Sequence, residues 1–231
     1  MIKTGTTNES FRHQWIEQAL KNIPAGKRLL DAGAGECPYR KHCAHLEYVS
    51  QDFAQYTGDG QTGLQTGTWD NSQLDIVSDI TSIPVDDHSF DAVMCTEVLE
   101  HVPDPVSAIR ELARIVKPGG TLIITAPFAS LTHFAPYHFC SGFNRFFFEH
   151  HLPKLGFEIT ELTTNGNYFE YIAQELWRIK HVAARYSSKK VNILEKVIIH
   201  GVLFILRKLS KADKGSAELL AYGIHLTARK L

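Results

Sequence analysis

Several features that would mark a specialised scaffold are scarce or missing. The four cysteines, Cys37, Cys43, Cys95 and Cys140, form no CxxC pair, and a chain of 231 residues with 44% hydrophobic content has no need of disulfide staples. They read as reduced thiols, so a cytoplasmic location is expected. No metal is expected either, because His42 and His45 flank Cys43 without paired ligand spacing. Charge of one sign is also missing: 24 lysines and arginines stand against 25 acids, which removes the field that draws proteins to nucleic acid. A small-molecule partner fits that balance better. The polar N-terminus MIKTGTTNESFRHQW lacks the apolar stretch of a signal peptide. The longest apolar run, within Val191–Leu209, is broken by Glu195, Lys196 and His200 and is short for a bilayer span, so no transmembrane segment is expected.

What is present alternates between short apolar strands and amphipathic helices. Phe11, Trp15, Ile16, Ala19 and Leu20 recur at helical spacing over Asn8–Asn22, with Asn8 or Ser10 as cap and Pro24 and Gly26 as stop. Arg28–Asp31 reads as a strand followed by a helix starting at Pro38. Glu47–Asp52 reads as a second strand, Thr57–Thr68 as an irregular loop, and Ile76 begins a third strand ending at Asp79. Ser89–Cys95 is apolar enough for a strand buried on both faces. Pro105–Val116 is an amphipathic helix closed by Lys117-Pro118-Gly119-Gly120, and Thr121–Ala126 is a fifth strand. This alternation predicts an α/β domain with a parallel, doubly wound sheet. From Phe128 to His151 the chain is dense in phenylalanine and histidine and matches neither helix nor strand; a loop in that position tends to line a site. Phe157–Leu162 resumes as strand, Tyr168–Tyr186 and Val191–Leu209 as helices, and Leu219–Arg229 as a last strand.

Acids and glycines collect where the strands end, which in open α/β sheets is where ligands bind. LLDAGAGE places Asp31 before Gly33 and Gly35, whose backbones allow close approach, and the expected helix start would offer N–H donors. A third glycine is absent, which counts against a pyrophosphate and so against an NAD-dependent oxidoreductase. Asp52, at the end of the second strand, is placed to accept from two ribose hydroxyls. Asp79 with Ile80 pairs a carboxylate with an aliphatic face, a combination suited to adenine. Each acid alone reads equally well as a solvated strand end; their shared edge favours the binding reading.

These segments resemble class I S-adenosylmethionine-dependent methyltransferases, in the broad type 11 group that includes ubiquinone and menaquinone biosynthesis methyltransferases. LLDAGAGECPYR is similar to the first motif of that family, VSDITSIPVDDHSFDAV with Asp79 and Asp91 to the second, CTEVLEHVPDP to the segment after the fourth strand, and IVKPGGTLIITAPF to the third. The match runs from about Arg28 to Phe128. It implies a single Rossmann-like domain over 1–231, with an N-terminal helix in 1–27, a cofactor-binding half in 28–128, and substrate-side loop, helices and last strands in 129–231. The sheet would be seven-stranded and mostly parallel, with helices on both faces and the last strand antiparallel. It further implies that Asp31, Gly33, Ala34 and Gly35 face the amino-acid part of S-adenosylmethionine, Asp52 and Phe53 the ribose, Asp79 and Ile80 the adenine, and Thr96 and Glu97 the sulfonium end.

The methyl acceptor would then be a small molecule, a sugar or a lipid-linked compound. His133 and His138 follow the fifth strand and are the candidate general bases, since imidazole takes up a proton near neutral pH. Either could equally hydrogen-bond the loop. His101, Tyr137 and Arg145 are candidate acceptor contacts, and His133, Pro136, Tyr137 and Arg145 echo loosely a loop found in similar enzymes. Phe11, Arg12 and Trp15 could close over the cofactor or simply pack. The helix over 191–209 leaves three readings open: core packing, a homodimer contact, or a peripheral membrane contact. A non-catalytic accessory protein that binds S-adenosylmethionine is the rival to an enzyme.

Overall fold

The computed structural model describes residues 3–58, 62–64 and 67–231. The expected loop over 57–68 therefore lies partly outside the described residues, at 59–61, 65 and 66. The chain divides into two compact units, His13–Thr163 with Gly223–Leu231, and Met1–Arg12 with Thr164–Tyr222.

Among the described residues the sheet has seven strands: β1 (Arg28–Ala32), β2 (Glu47–Asp52), β3 (Ile76–Val77), β4 (Phe90–Thr96), β5 (Val116–Pro127), β6 (Phe157–Asn165) and β7 (Gly223–Lys230). Their order is β3-β2-β1-β4-β5-β7-β6. β1 runs parallel to β2 and β4, β2 to β3, and β4 to β5, whereas β7 lies antiparallel to β5. The expected Rossmann-like architecture with an antiparallel last strand is what forms.

Side-chain alternation along the strands splits the core in two. Leu30, Val93, Leu122 and Ile124 point to one face, where helix α2 (Pro105–Ile115) covers them with Ala108, Ile109, Leu112 and Ile115. Leu29, Ala92, Met94 and Ile123 point to the other, against Ile16, Ala19 and Leu20 of helix α1 (Asn8–Lys21). Burying one such leucine contributes about 1.5–3 kcal/mol. Asp104 starts α2 by accepting from the Ser107 backbone N–H at 3.0 Å, with Pro105 in the first turn. Trp15 takes the packing role, donating its indole N–H to Glu161 (2.9 Å) beside the His225 ring.

Four local expectations are corrected. No α-helix starts at Pro38; turns and one 3-10 turn over Arg40–His42 follow β1 instead. Cys37, held at φ 55° and preceding a proline, is outside helical geometry, and Arg40 anchors the segment on Ser50 (3.1 Å) and the Gln73 carbonyl (3.0 Å). Lys117-Pro118-Gly119-Gly120 does not follow the helix as a separate stop, because Val116 already pairs with Phe90 and opens β5. The end of the Phe128–His151 segment is helical after all, as α3 (Arg145–His151), which buries Phe148. The last strand starts at Gly223, four residues later than its sequence pattern suggests, after a 3-10 turn over Ser216–Glu218.

The other unit contains helices α4 (Tyr168–Tyr186) and α5 (Ile193–Lys211), packed through Ala173, Leu203 and Leu206. Asn167 caps α4, and Asn192 with Glu195 forms a reciprocal capping box on α5. Among the described residues no helix is long and apolar enough to cross a membrane.

Candidate active site

Strand order reverses between β1 and β4, which opens a crevice beyond their carboxyl ends. Asp31 lies there, near the end of β1, fully buried. Its Oδ2 accepts from the Tyr48 hydroxyl at 2.6 Å, while Oδ1 is buried with no hydrogen-bond partner. Burial pushes this carboxyl up to about 7, Tyr48 pulls it back, and the charge of Asp52 adds to the rise. A buried acceptor of this kind is suited to a cationic donor arriving with a ligand.

The glycine turn beside it is backbone architecture. Gly33 and Ala34 both donate their N–H to the Gln51 carbonyl, at 2.8 and 2.9 Å. A Cβ on Gly33, at φ 77°, would meet Val98 at 2.3 Å, and one on Gly35, at φ 51°, would meet the Trp69 indole at 2.6 Å. Close approach by Val98 and Trp69, and not the turn alone, therefore requires glycine. Asp52, the last residue of β2, holds the same turn: Oδ2 accepts from the Gly35 N–H at 3.0 Å and Oδ1 from the Ala54 N–H at 2.9 Å. Because no helix follows the turn, it presents no helix N-terminus to an anion.

The remaining cofactor candidates occupy the same edge. Asp79 is exposed and accepts from the Thr81 N–H (2.8 Å) and hydroxyl (2.7 Å), and Ile80 is buried in the core. Thr96 ends β4 opposite Thr125, and Glu97, at φ 54°, donates its backbone N–H to the Thr125 carbonyl at 2.9 Å. Phe53 packs edge-on against Tyr137, with centroids 4.9 Å apart. Asp91 sits at the opposite end of the strands, where it accepts from the Arg28 N–H, Lys27 and Lys117. Burial opposes its ionisation, but these donors hold it at about 2, and its role is to pin the strand starts.

The structure gathers three histidines that sequence spacing keeps apart. His101, in the 3-10 turn after β4, donates from Nδ1 to the Tyr137 carbonyl (2.5 Å), and His133 donates from Nδ1 to the Leu131 carbonyl (2.8 Å). His138 lies beside both, its ring 4.9 Å from that of His133 and 5.9 Å from that of His101. Burial lowers His101 to about 3, with the neighbouring His133 adding to the effect, and burial followed by His133 also lowers His138. Buried Glu100 faces the group, its Oε1 at 3.6 Å from His101 Nε2 and 3.9 Å from His133 Nε2. Arg145 stands apart, exposed on α3, pairing with Glu149 (3.7 Å) and lying over Phe146.

Sequence reasoning missed an aromatic wall. Tyr56 stacks on Phe134 at 4.1 Å, and Trp69 meets both edge-on, at 5.7 and 5.0 Å. Residues 62–64 and 132–134 make this closure: Leu64 donates its N–H to the Thr132 carbonyl at 2.9 Å, and Phe134 returns one to Leu64 at 3.2 Å. The aromatic side chains are visible in the sequence, but nothing there says that the two loops meet.

With that geometry in place, the chain can be set beside known proteins. Residues 30–124 match the family described as Methyltransferase domain. Over those residues the chain is similar to methyltransferase domains. It is similar to ubiquinone biosynthesis O-methyltransferase of Alkalilimnicola ehrlichii, with 34% identity over 123 residues covering 50% of this chain and 47% of that protein. The Xanthomonas axonopodis pv. citri protein of the same name is 36% identical over 118 residues, covering 49% of this chain and 48% of its own. The chain thus spans about half the length of the curated relatives it matches. In fold, the chain resembles a SAM-dependent methyltransferase from Archaeoglobus fulgidus, with a TM-score of 0.56, 16% identity, and coverage of 96% and 97% of the two chains. The cyclase SpnF is also similar, at a TM-score of 0.54, 20% identity, and coverage of 94% and 80%.

Proposed function

We propose that the protein transfers a methyl group from S-adenosylmethionine to an oxygen of a small or lipid-linked acceptor. The observation that carries this reading is the buried, unpartnered Asp31 Oδ1 beside a turn whose two glycines admit no side chain. The ammonium group of the cofactor's amino-acid tail would supply the missing donor to Asp31, and the Gly33–Gly35 backbone would lie along that tail. Asp52 would keep the turn in shape while its remaining lone pairs face a ribose. When bound, the cofactor supplies a sulfonium-activated methyl group, so no covalent protein nucleophile is required.

The protein's own tasks are alignment, exclusion of water and removal of the acceptor proton. Tyr56, Trp69 and Phe134 wall off the glycine turn. His133 and His138 would be the proton acceptors of the acceptor side, and burial followed by the neighbouring His133 lowers the pKa of His138. The oxygen preference is supported by the relatives' name, ubiquinone biosynthesis O-methyltransferase.

A lipid-bearing acceptor is supported by α5. Ile193, Leu194, Val197, Ile198, Phe204 and Ile205 are all more than half exposed along it, and Lys196, Lys208 and Lys211 are exposed on the same helix. An apolar face with cationic neighbours suits the surface of an anionic bilayer. The deciding experiment is S-adenosylmethionine-dependent methylation of catechols and lipid-linked phenols by the full chain, followed by mass. Tight cofactor binding with no turnover on any acceptor would favour the accessory-protein reading. That outcome matters because one structural neighbour is named as a cyclase.

A further inference from the structure

We infer that His101, His133 and His138 form a binding site for one divalent ion of the zinc class, with Glu100 as its charge partner. One nitrogen from each ring lies within 4.8 Å of the others, so modest side-chain rotation closes them around an ion. Ligand nitrogens in a tetrahedral zinc site stand about 3.3 Å apart, given bonds of about 2.0–2.1 Å.

The hydrogen bonding prepares the rings for this. A carbonyl can only accept, so Tyr137 and Leu131 each fix a proton on Nδ1, of His101 and His133 respectively. The lone pairs are then on Nε2, and both of those atoms converge on Glu100 Oε1 at 3.6 and 3.9 Å. An imidazole that ligates through one nitrogen while donating from the other to a backbone carbonyl is the usual way a protein orients a metal ligand. His138 adds a ring whose two nitrogens are buried without a hydrogen-bond partner. Glu100, with none of its surface exposed, offsets part of the positive charge.

Three imidazoles leave a coordination position open. An acceptor hydroxyl placed there would have its pKa lowered by the ion and release its proton to bulk water, in place of proton uptake by a histidine. That role rests on the methyl-transfer reading; metal binding does not.

The test is titration of the metal-free full chain with Zn2+, with bound metal counted by mass spectrometry, and with Co2+, whose visible spectrum reports coordination. One equivalent should bind, and X-ray absorption on the wild-type zinc form should show three imidazole nitrogens. His133→Ala and His138→Ala should each weaken Zn2+ by at least tenfold, whereas His150→Ala in α3 should change nothing. The inference is overturned if wild-type protein binds less than one equivalent, or if the His133→Ala/His138→Ala double variant binds as tightly as wild type. It is equally overturned by an absorption spectrum without imidazole scattering, a readout that needs no variant to fold. Cofactor affinity of the metal-free protein, measured in parallel by calorimetry, reports separately on the methyltransferase reading.

Discussion

Gly35 donates its backbone N–H to Asp52 Oδ2 at 3.0 Å, so the last residue of one strand fixes the turn that leaves its neighbour. Asp52→Ala removes this bond together with the one from Ala54, and should weaken S-adenosylmethionine binding by roughly 1–3 kcal/mol. Asp52→Asn keeps one acceptor oxygen and should lose less. Calorimetry on the two variants checks the order; equal affinities for Asp52→Ala and wild type would remove Asp52 from the site.

Gly33→Ala should be harmful for two separate reasons. Its Cβ would meet Val98 at 2.3 Å, and its φ of 77° strains any other residue. A left-handed non-glycine residue costs on the order of 1–3 kcal/mol. Relieving the clash with Val98→Ala should therefore recover part of the loss and not all of it. Thermal melts of the single and double variants measure that remainder; complete recovery would mean that the backbone strain is negligible.

Asp31 makes stability depend on pH in an unusual sense for an acid. Its folded carboxyl titrates at about 7 against an ordinary 3.8, so between those values the folded chain holds a proton that the unfolded chain has released. Stability of the ligand-free protein should fall as pH rises across that window, and Asp31→Asn should flatten the dependence. Binding a cationic amino-acid tail at pH 6 should expel the proton, which calorimetry in buffers of different ionisation enthalpy detects. Absence of proton release in wild type would remove the ammonium from Asp31.

The exposed side of α5 should bind sedimenting vesicles rich in phosphatidylglycerol and ignore pure phosphatidylcholine. Added salt should weaken the association, since screening acts on the lysines and not on the apolar contact. Replacing Ile198 and Ile205, both more than half exposed, by aspartate should release the protein without lowering its melting temperature. Retention on the vesicles after both changes would show that another surface carries the contact.

The sheet was legible because burial on two faces leaves a nearly continuous apolar pattern, as in Phe90–Thr96 and Leu122–Ala126. The acids at the strand ends were equally readable, since chain order alone places them along one edge. What the pattern could not convey was contact across sequence distance. Asp52 was visible as a strand-end acid, but its grip on the Gly35 N–H depends on how closely the two strands end together. The helix expected at Pro38 failed because Arg40 reaches Ser50 and Gln73, a pull with no local signature. The three histidines, and the meeting of Tyr56, Trp69 and Phe134, arise from loops after different strands, and residue spacing carries no record of that encounter.

The short pairing between Leu64 and the 132–134 segment ties together two loops that follow different strands. The loop from β2 brings Trp69 over the glycine turn, and the loop from β5 brings His133 toward Glu100. Neither can swing out without breaking the two hydrogen bonds that join them at Leu64. On the methyl-transfer reading, closing the cofactor side and assembling the acceptor side would thus be one mechanical event.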